Sequence, residues 1–282
     1  MKGRNKKRKS TSYILLGAVI LGILILAAIL VPILSPYSYT DMDTSMCSQS
    51  ASLAHPFGTD KMGRDILVRV CYGTGISLLV GFVSTLINGV IGVLYGSIAG
   101  YAGGILDMIL MRFADILSAI PSLLYVILIL LAMGPGVGSI IFGICIAGWI
   151  PTARITRGEI LRLKTEDFYL AIKLAGAHPL RILLFHLLPN AAGPILVSIT
   201  FMVPTAIFTE SFLSFVGVGL SAPVASLGTL IQDARSQMML YPSQMLYPMT
   251  VLCLLIAAVQ LIGTGLEKRQ TEEGSQMEGG NH

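Results

Sequence analysis

The sequence predicts an all-α, polytopic membrane protein, and two observations carry that reading. Of 282 residues, 54% are hydrophobic and 12% charged, against roughly 25% charged in a soluble domain. Several apolar stretches also approach the ~20 residues that a helix needs to cross the hydrocarbon core, and we count about six of them. A water-soluble core would not absorb so much apolar surface, whereas a bilayer does.

The first expected span, residues 13–34, carries no charge and follows the basic run Lys2, Arg4, Lys6, Lys7, Arg8 and Lys9. A basic run before an apolar stretch resembles a secretory signal, but a signal's apolar region is about 7–15 residues and ends at a small-residue cleavage site. Here it continues through Val31-Pro32-Ile33-Leu34, so a retained helix is expected, with the positive charges holding its N-terminus in the cytoplasm. A polar segment, residues 35–75, precedes the second span, residues 76–100. Gly81, Thr85 and Gly89, then Gly92, Gly96 and Gly100, form small-residue stripes that let another helix approach closely. Packing within the same subunit is expected ahead of a dimer contact.

The third span, residues 106–133, is broken by Pro121 and followed by the turn Gly134-Pro135-Gly136. The fourth, residues 139–155, contains Pro151 and Trp149, whose side chain suits an interfacial position. A long polar stretch over 154–190 leads into the fifth span, residues 191–217, which holds Pro194 and Pro204. The sixth, residues 246–265, precedes Lys268-Arg269 and a polar tail, 270–282, expected to be disordered. The chain thus divides into an N-terminal unit, 1–75, a five-helix membrane domain, 76–269, with an inner loop at 159–190, and the tail.

Alternation from a cytoplasmic N-terminus puts the 154–190 loop and the C-terminus inside, and the 35–75 and 218–245 loops outside. Of the 19 lysines and arginines, only Lys61, Arg64, Arg69 and Arg235 then fall outside, the asymmetry that orients membrane proteins. Cys145 and Cys253 lie in apolar stretches, Cys47 and Cys71 flank the outer loop, and the spacing suits no metal or redox motif. Free thiols are expected, with a Cys47–Cys71 bridge left open.

Catalytic signatures are missing. There is no His-Glu-x-x-His, no Gly-x-Ser-x-Gly and no Gly-x-x-x-x-Gly-Lys-Ser/Thr loop to cradle a nucleotide phosphate. His55, His178, His186 and His282 fall in loops or the tail, which leaves no pair of axial haem ligands in the spans. No cofactor, metal or nucleic acid is expected on this chain. Met238, Met239, Met245 and Met249 are read as apolar contacts, since no histidine or carboxylate cluster accompanies them.

The ionisable residues placed in spans are Asp107, Arg112, Asp115 and Glu210. Arg112 and Asp115, three apart on a helix, form a pair, with a structural and a functional role both open. Glu210 has no local partner and is expected to face a subunit interface or a transport pathway. In the long inner loop, Thr165 is expected to cap a helix with Glu166 and Asp167 in its first turn. That helix presents Leu170, Ala171, Leu174 and Ala175 on one side, and Gly176 ends it. Pro179 opens a second short helix with Leu180, Leu183, Leu184 and Leu187, which Pro189 stops. The apolar face is too small to insert, so it calls for a partner protein, or else for lipid headgroups.

Three segments carry a family resemblance. Leu170-Ala171-Ile172, Gly176 and His186-x-Leu188-Pro189 resemble the Glu-Ala-Ala, Gly, Ile-x-Leu-Pro loop of ABC importer permeases, with Leu170, Ile172 and His186 as departures. His55-Pro56-Phe57-Gly58-Thr59-Asp60-Lys61-Met62-Gly63-Arg64-Asp65 resembles the His-Pro-x-Gly-Thr-Asp-x-x-Gly-Arg-Asp signature of C-type permeases for dipeptides, oligopeptides and nickel. Glu210-Ser211-Phe212-Leu213-Ser214-Phe215-Val216-Gly217-Val218-Gly219 is similar to that family's fifth-helix end. Near the C-terminus, Gly263-Thr264-Gly265-Leu266-Glu267-Lys268 departs from the family's Gly-Asp-Gly-Leu-Arg-Asp.

The resemblance implies a type I ABC importer permease fold and a non-enzymatic pore subunit in the cytoplasmic membrane. It further implies a B-type permease partner, two ATPase subunits that use ATP and magnesium, and an extracytoplasmic solute-binding protein. Docking of the ATPase would fall on Leu170, Ala171, Ile172, Gly176, His186, Leu188 and Pro189. Peptides are the expected solute, with nickel or a metal chelate as the alternative and a polytopic enzyme or respiratory subunit as the rival class. Asp60, Arg64 and Asp65 are expected to fix the outer loop rather than touch solute, with binding-protein contact as the competing role.

Overall fold

The structure, a computed structural model, describes residues 2–279, with side chains described for residues 10–272. Among the described residues it is built from helices without a named strand. The helices are α1 (Lys2–Leu34), α2 (Ile66–Ala102), α3 (Gly104–Ser118), α4 (Ser122–Met133), α5 (Val137–Ala147) and α6 (Ile150–Leu163). They continue with α7 (Asp167–Leu174), α8 (Pro179–Ile182), α9 (Leu188–Val216), α10 (Leu227–Arg235) and α11 (Pro242–Gly279). Five stretches are long and apolar enough to cross a membrane: Ser10–Leu34, Ile66–Ala102, Val137–Leu163, Pro179–Val216 and Pro242–Glu272. The pair α3 and α4, bent by 73° at its break, makes a sixth if it is one span. Pro121 lies at that break, where it has no N–H to continue the ladder and disfavours helix in the residue before it.

Glycine sets the central packing. A Cβ at Gly92 would stand 2.7 Å from the Trp149 carbonyl, one at Gly96 would overlap the Ala153 carbonyl, and one at Gly100 would stand 3.0 Å from the Arg157 carbonyl. The second stripe therefore seats α6 on α2 backbone to backbone. Gly81 and Gly89 face Ile207 and Ile199 of α9, so both stripes are used within the subunit, as the sequence suggested. Lys164 then donates to the carbonyls of Gly100 and Tyr101, at 3.3 and 2.9 Å, and satisfies the C-terminal end of α2. Helix α1 lies at the periphery, against α11, with Gly17 close to the Ala258 carbonyl and most of its apolar side chains exposed.

Several expectations need correction. Helix α2 begins at Ile66 rather than 76, because Asp65 accepts from the Val68 N–H at 2.8 Å and caps it. The expected boundary at 75 therefore cuts a continuous helix. Trp149, expected at the membrane interface, is buried by protein, with its ring tilted against Tyr95 at 4.5 Å. Cys47 and Cys71 are free thiols, one exposed and the other buried, so no bridge joins them. The last helix extends to Gly279, past the start of the tail expected at 270, and Gln270, Glu272 and Glu273 there are good helix formers. His282 and the rest of 280–282 lie outside the described residues, as do the side chains of the basic N-terminal run.

The α2–α6 seam yields a direct test. Gly96→Ala forces an overlap that overpacking studies put at about 1–3 kcal/mol, while Gly75, which has open space around it, tolerates alanine. Heating detergent-solubilised protein and measuring the fraction that stays monodisperse should show a clear loss for Gly96→Ala and little for Gly75→Ala; equal behaviour would contradict the packing.

Candidate functional site

Two constructions, one polar and one apolar, stand at opposite ends of the bundle. The first is the loop before α2. Asp60 accepts from the backbone N–H groups of Met62 and Arg64, at 2.8 and 3.0 Å. It also accepts from Arg64 Nε at 2.7 Å and from Arg69 Nη1. The two guanidiniums reach on to Asp233 of α10, at 3.3 and 3.2 Å. His55 Nδ1 lies 2.7 Å from Asp65 Oδ2, so Asp65 holds the histidine with one oxygen and caps α2 with the other. Thr59 Oγ1 donates to the Met46 carbonyl and accepts from the Gln49 N–H, and Gln244 of α11 donates to the Thr59 carbonyl at 3.0 Å.

Two glycines make that loop possible. Gly58 and Gly63 have φ of +76° and +73°, and a Cβ at Gly63 would overlap Asp43. Pro56 is exposed beside them, while His55, Thr59, Asp60, Arg64 and Asp65 are buried. Their charges are spent on each other and on α10, the arrangement of a brace. Burial pushes the Asp60 carboxyl up, but the Arg64 and Met62 N–H groups and the two guanidiniums outweigh it and hold the group below its ordinary value. Arg69, Asp233 and Gln244 belong to this knot and went unmarked in the sequence; the partners of Asp233 and Gln244 are far away along the chain, while Arg69 is nine residues from Asp60.

At the other end is the hairpin between α6 and α9. Helix α7 closes with the Gly176 N–H on the Lys173 carbonyl and the Ala177 N–H on the Ile172 carbonyl, with Gly176 at φ +76°. This is the left-handed closure that glycine favours. Phe168, Tyr169, Ile172, Ala177 and Leu188 pack inward with Ile160, Leu163, Ile182, Leu187, Ala191 and Ile195. Outward, Leu170, Ala171, Leu174, Ala175, Leu180, Leu184 and Phe185 are exposed, Leu174 at 79% and Phe185 at 71%. One face of the hairpin is thus core and the other is an unpartnered apolar surface.

Details differ from expectation. Thr165 does not cap α7; its Oγ1 donates back to the Arg162 carbonyl at 2.7 Å, and Glu166 occupies the cap position. Pro189 does not stop the second helix. A π-turn, Leu183–Leu187, containing the half-buried His186, joins α8 to α9, and Pro189 sits in the first turn of α9. Proline needs no N–H there, so the helix runs on into the span. Ile172 and Leu188 face the core, which leaves Leu170, Ala171, Gly176 and Pro189 on the open side.

The ionisable residues of the spans also find partners. Asp107 takes a two-pronged contact from Arg157, with Nη2 at 2.6 Å. Asp115 sits 2.9 Å from Arg154 but 3.9 Å from Arg112, so the expected local pair gives way to one that ties α3 to α6. Glu210 is fully buried rather than facing an interface or pathway. Its oxygens accept from Ser77 at 2.9 Å, Ser211 at 3.2 Å and Ser214 at 3.0 Å. Ser214 stands one helical turn away, so this partner was within reach of sequence spacing; Ser77, on α2, was not.

The comparisons with known proteins fit this geometry. The model of the binding-protein-dependent transport system inner membrane component matches residues 92–271. That of the N-terminal TM domain of oligopeptide transport permease C matches residues 13–55. The oligopeptide transport system permease protein OppC of Bacillus subtilis is 42% identical over 258 residues, 92% of this chain and 85% of its own length. The dipeptide transport system permease protein DppC of the same organism is 41% identical over 263 residues, covering 93% and 82%. The OppC protein of Escherichia coli is 38% identical over 250 residues, covering 88% and 83%.

Removing one partner of a buried ion pair costs about 3–5 kcal/mol, so Asp60→Asn should open the loop to limited proteolysis and lower thermal stability. In the wild type, stability from ionised Asp60 is complete above its ordinary 3.8 and is lost only as pH falls through its lower folded value. Protease resistance of the loop should hold unchanged from neutrality down to about pH 5.

Proposed function

The chain belongs to the family of binding-protein-dependent transport system inner membrane components, and from that premise we propose that it moves di- or oligopeptides across the cytoplasmic membrane as the permease subunit of an ATP-driven importer. It is a transport component and not an enzyme. The observation that carries the mechanism is the two-faced hairpin, whose inner face is fixed to α6 and α9 and whose outer face is exposed and apolar.

In this reading two ATPase subunits, which bind ATP and magnesium, power the importer, and one of them grips the outer face around Leu170, Ala171, Gly176 and Pro189. A homologous permease supplies the other half of the pore, and an extracytoplasmic solute-binding protein delivers the solute. Both termini and the hairpin lie on the cytoplasmic side, consistent with the distribution of lysine and arginine. Closure of the ATPase pair pulls the hairpin, and because its inner face is continuous with the bundle core, the pull turns α6 and α9 as a body. Two ligand states then bias two bundle arrangements, which is what alternating access requires. The brace at the other end keeps α2, α10 and α11 together during that motion. The oligopeptide and dipeptide names of the relatives favour peptides over nickel or a metal chelate.

Gly176 supplies the test. A non-glycine residue in the left-handed region costs about 1–2 kcal/mol, with asparagine and aspartate both occasional exceptions. The two variants therefore differ chiefly in the charge that Gly176→Asp adds to the apolar face. In reconstituted complexes Gly176→Asp should lower peptide uptake by about tenfold or more, a loss worth ~1.4 kcal/mol of coupling, while ATP hydrolysis persists; Gly176→Asn should stay coupled. Normal coupled uptake by Gly176→Asp would remove the docking assignment.

A further inference from the structure

Helix α3 is bounded by a joint at each end. It begins at the pair Gly103-Gly104, with φ of +66° and +57°, and a Cβ on Gly104 would meet nothing within 4 Å. It ends at the break before Pro121, from which α4 leaves at 73°. The 15 residues between make a rod about 22 Å long.

Little of that rod is packed. Asp107 and Ala114 are its buried residues, while Met108, Ile109, Phe113 and Ile116 are exposed. Ala114 rests in a small apolar cluster with Trp149, Ile150 and Ala153, and the Tyr95 hydroxyl of α2 donates to the Leu110 carbonyl at 2.7 Å. The charged ties run to α6. Near the first joint Asp107 takes both prongs of Arg157, with Nη2 at 2.6 Å, a fork that fixes orientation as well as distance. Near the second, Arg154 Nη2 donates to Asp115 Oδ1 and to Ser118 Oγ, each at 2.9 Å. Charges within spans are costly unless paired, and these pairs are made between helices.

We propose that α3 is a connecting rod: Arg154 and Arg157 carry it with α6, and Asp107 is the positioning residue through which displacement at the hairpin root reaches the α3–α4 elbow, an inference that rests on the importer reading. Helix α6 ends at Leu163, in the cluster that roots the hairpin, and Arg157 stands about two turns earlier. The Gly103-Gly104 joint leaves α3 free to follow α6 rather than α2, whose end it continues. At the far end Ser122 opens α4 and lines a cavity of about 470 Å³ that α9 also lines. A shifted elbow therefore changes the width of that cavity.

The test uses the whole complex in proteoliposomes with its binding protein, reading tripeptide uptake per ATP hydrolysed. Asp107→Asn should lower that ratio about tenfold, within the range usual for coupling between sites, and exchanging the charges, Asp107→Arg with Arg157→Asp, should restore most of it. A second measurement asks whether the two helices travel together. In a Cys47→Ser, Cys253→Ser background, Asp107→Cys with Arg157→Cys should again uncouple, and joining the two thiols with a short bis-methanethiosulfonate should recover uptake. Asp107→Asn assembling fully and keeping the wild-type ratio would overturn the inference, as would a link that leaves or deepens the loss. Should Asp107→Asn fail to assemble, the linked pair, which leaves neither charge unpaired, must still transport. Wild type that hydrolyses ATP without importing any peptide would instead overturn the importer reading.

Discussion

The close approach of α2 and α6 is the contact on which the rest of the structure depends. In a bilayer the hydrophobic effect does little to bring helices together, so association rests on van der Waals contact and internal hydrogen bonds. Gly92, Gly96 and Gly100 allow α6 to lie against the α2 backbone. From that position α6 reaches α3 through Arg154 and Arg157 and fixes the root of the hairpin through Ile160 and Leu163. Gly148, at the head of the same seam, packs against Asn88 of α2. One row of missing side chains thus connects the ion pairs, the hairpin and the α5–α6 junction.

The hairpin and the loop before α2 illustrate opposite uses of surface. The loop before α2 turns its signature charges, Asp60, Arg64 and Asp65, inward onto one another, His55, Arg69 and Asp233, so its conformation is tied down by several contacts at once. The hairpin is rich in leucine, yet half of its leucines point outward. Exposed apolar faces of that kind mark sites of association. Rigidity at one end and an unfilled contact at the other suit a lever, which needs an anchored end and a gripped end. The π-turn Leu183–Leu187 joins the hairpin to α9 as helix that continues into the span, so a displacement of the hairpin would pass to α9.

Much of this was legible in the sequence where the signal is local. The span order, the break at Pro121, the glycine stripes and the Gly176 turn all follow from runs, periodicity and the backbone needs of proline and glycine. What could not be read locally were partnerships between distant residues. Arg157 reaches Asp107 across fifty residues, Asp233 meets Arg64 and Arg69 from α10, and Ser77 reaches Glu210 from α2. Asp115 was misjudged for that reason, its stronger partner not being its helix neighbour Arg112, and so was Glu210 in part, although Ser211 and Ser214 were within local reach. Thr165 and Pro189 were misread in another way: both residue types serve at helix ends in more than one role, and packing decides which.

The central claim, that the outward face of α7 is a cytoplasmic surface covered by a separate subunit, is open to direct measurement by cysteine labelling. Cys47 is exposed in the opposite loop, so the probe belongs in a Cys47→Ser background carrying Ala171→Cys. A membrane-impermeant maleimide should label this cysteine in inverted vesicles stripped of peripheral subunits, lose access when ATPase subunits are added back, and fail to reach it in intact cells. Labelling from the exterior of intact cells, or labelling indifferent to the added subunits, would contradict the account.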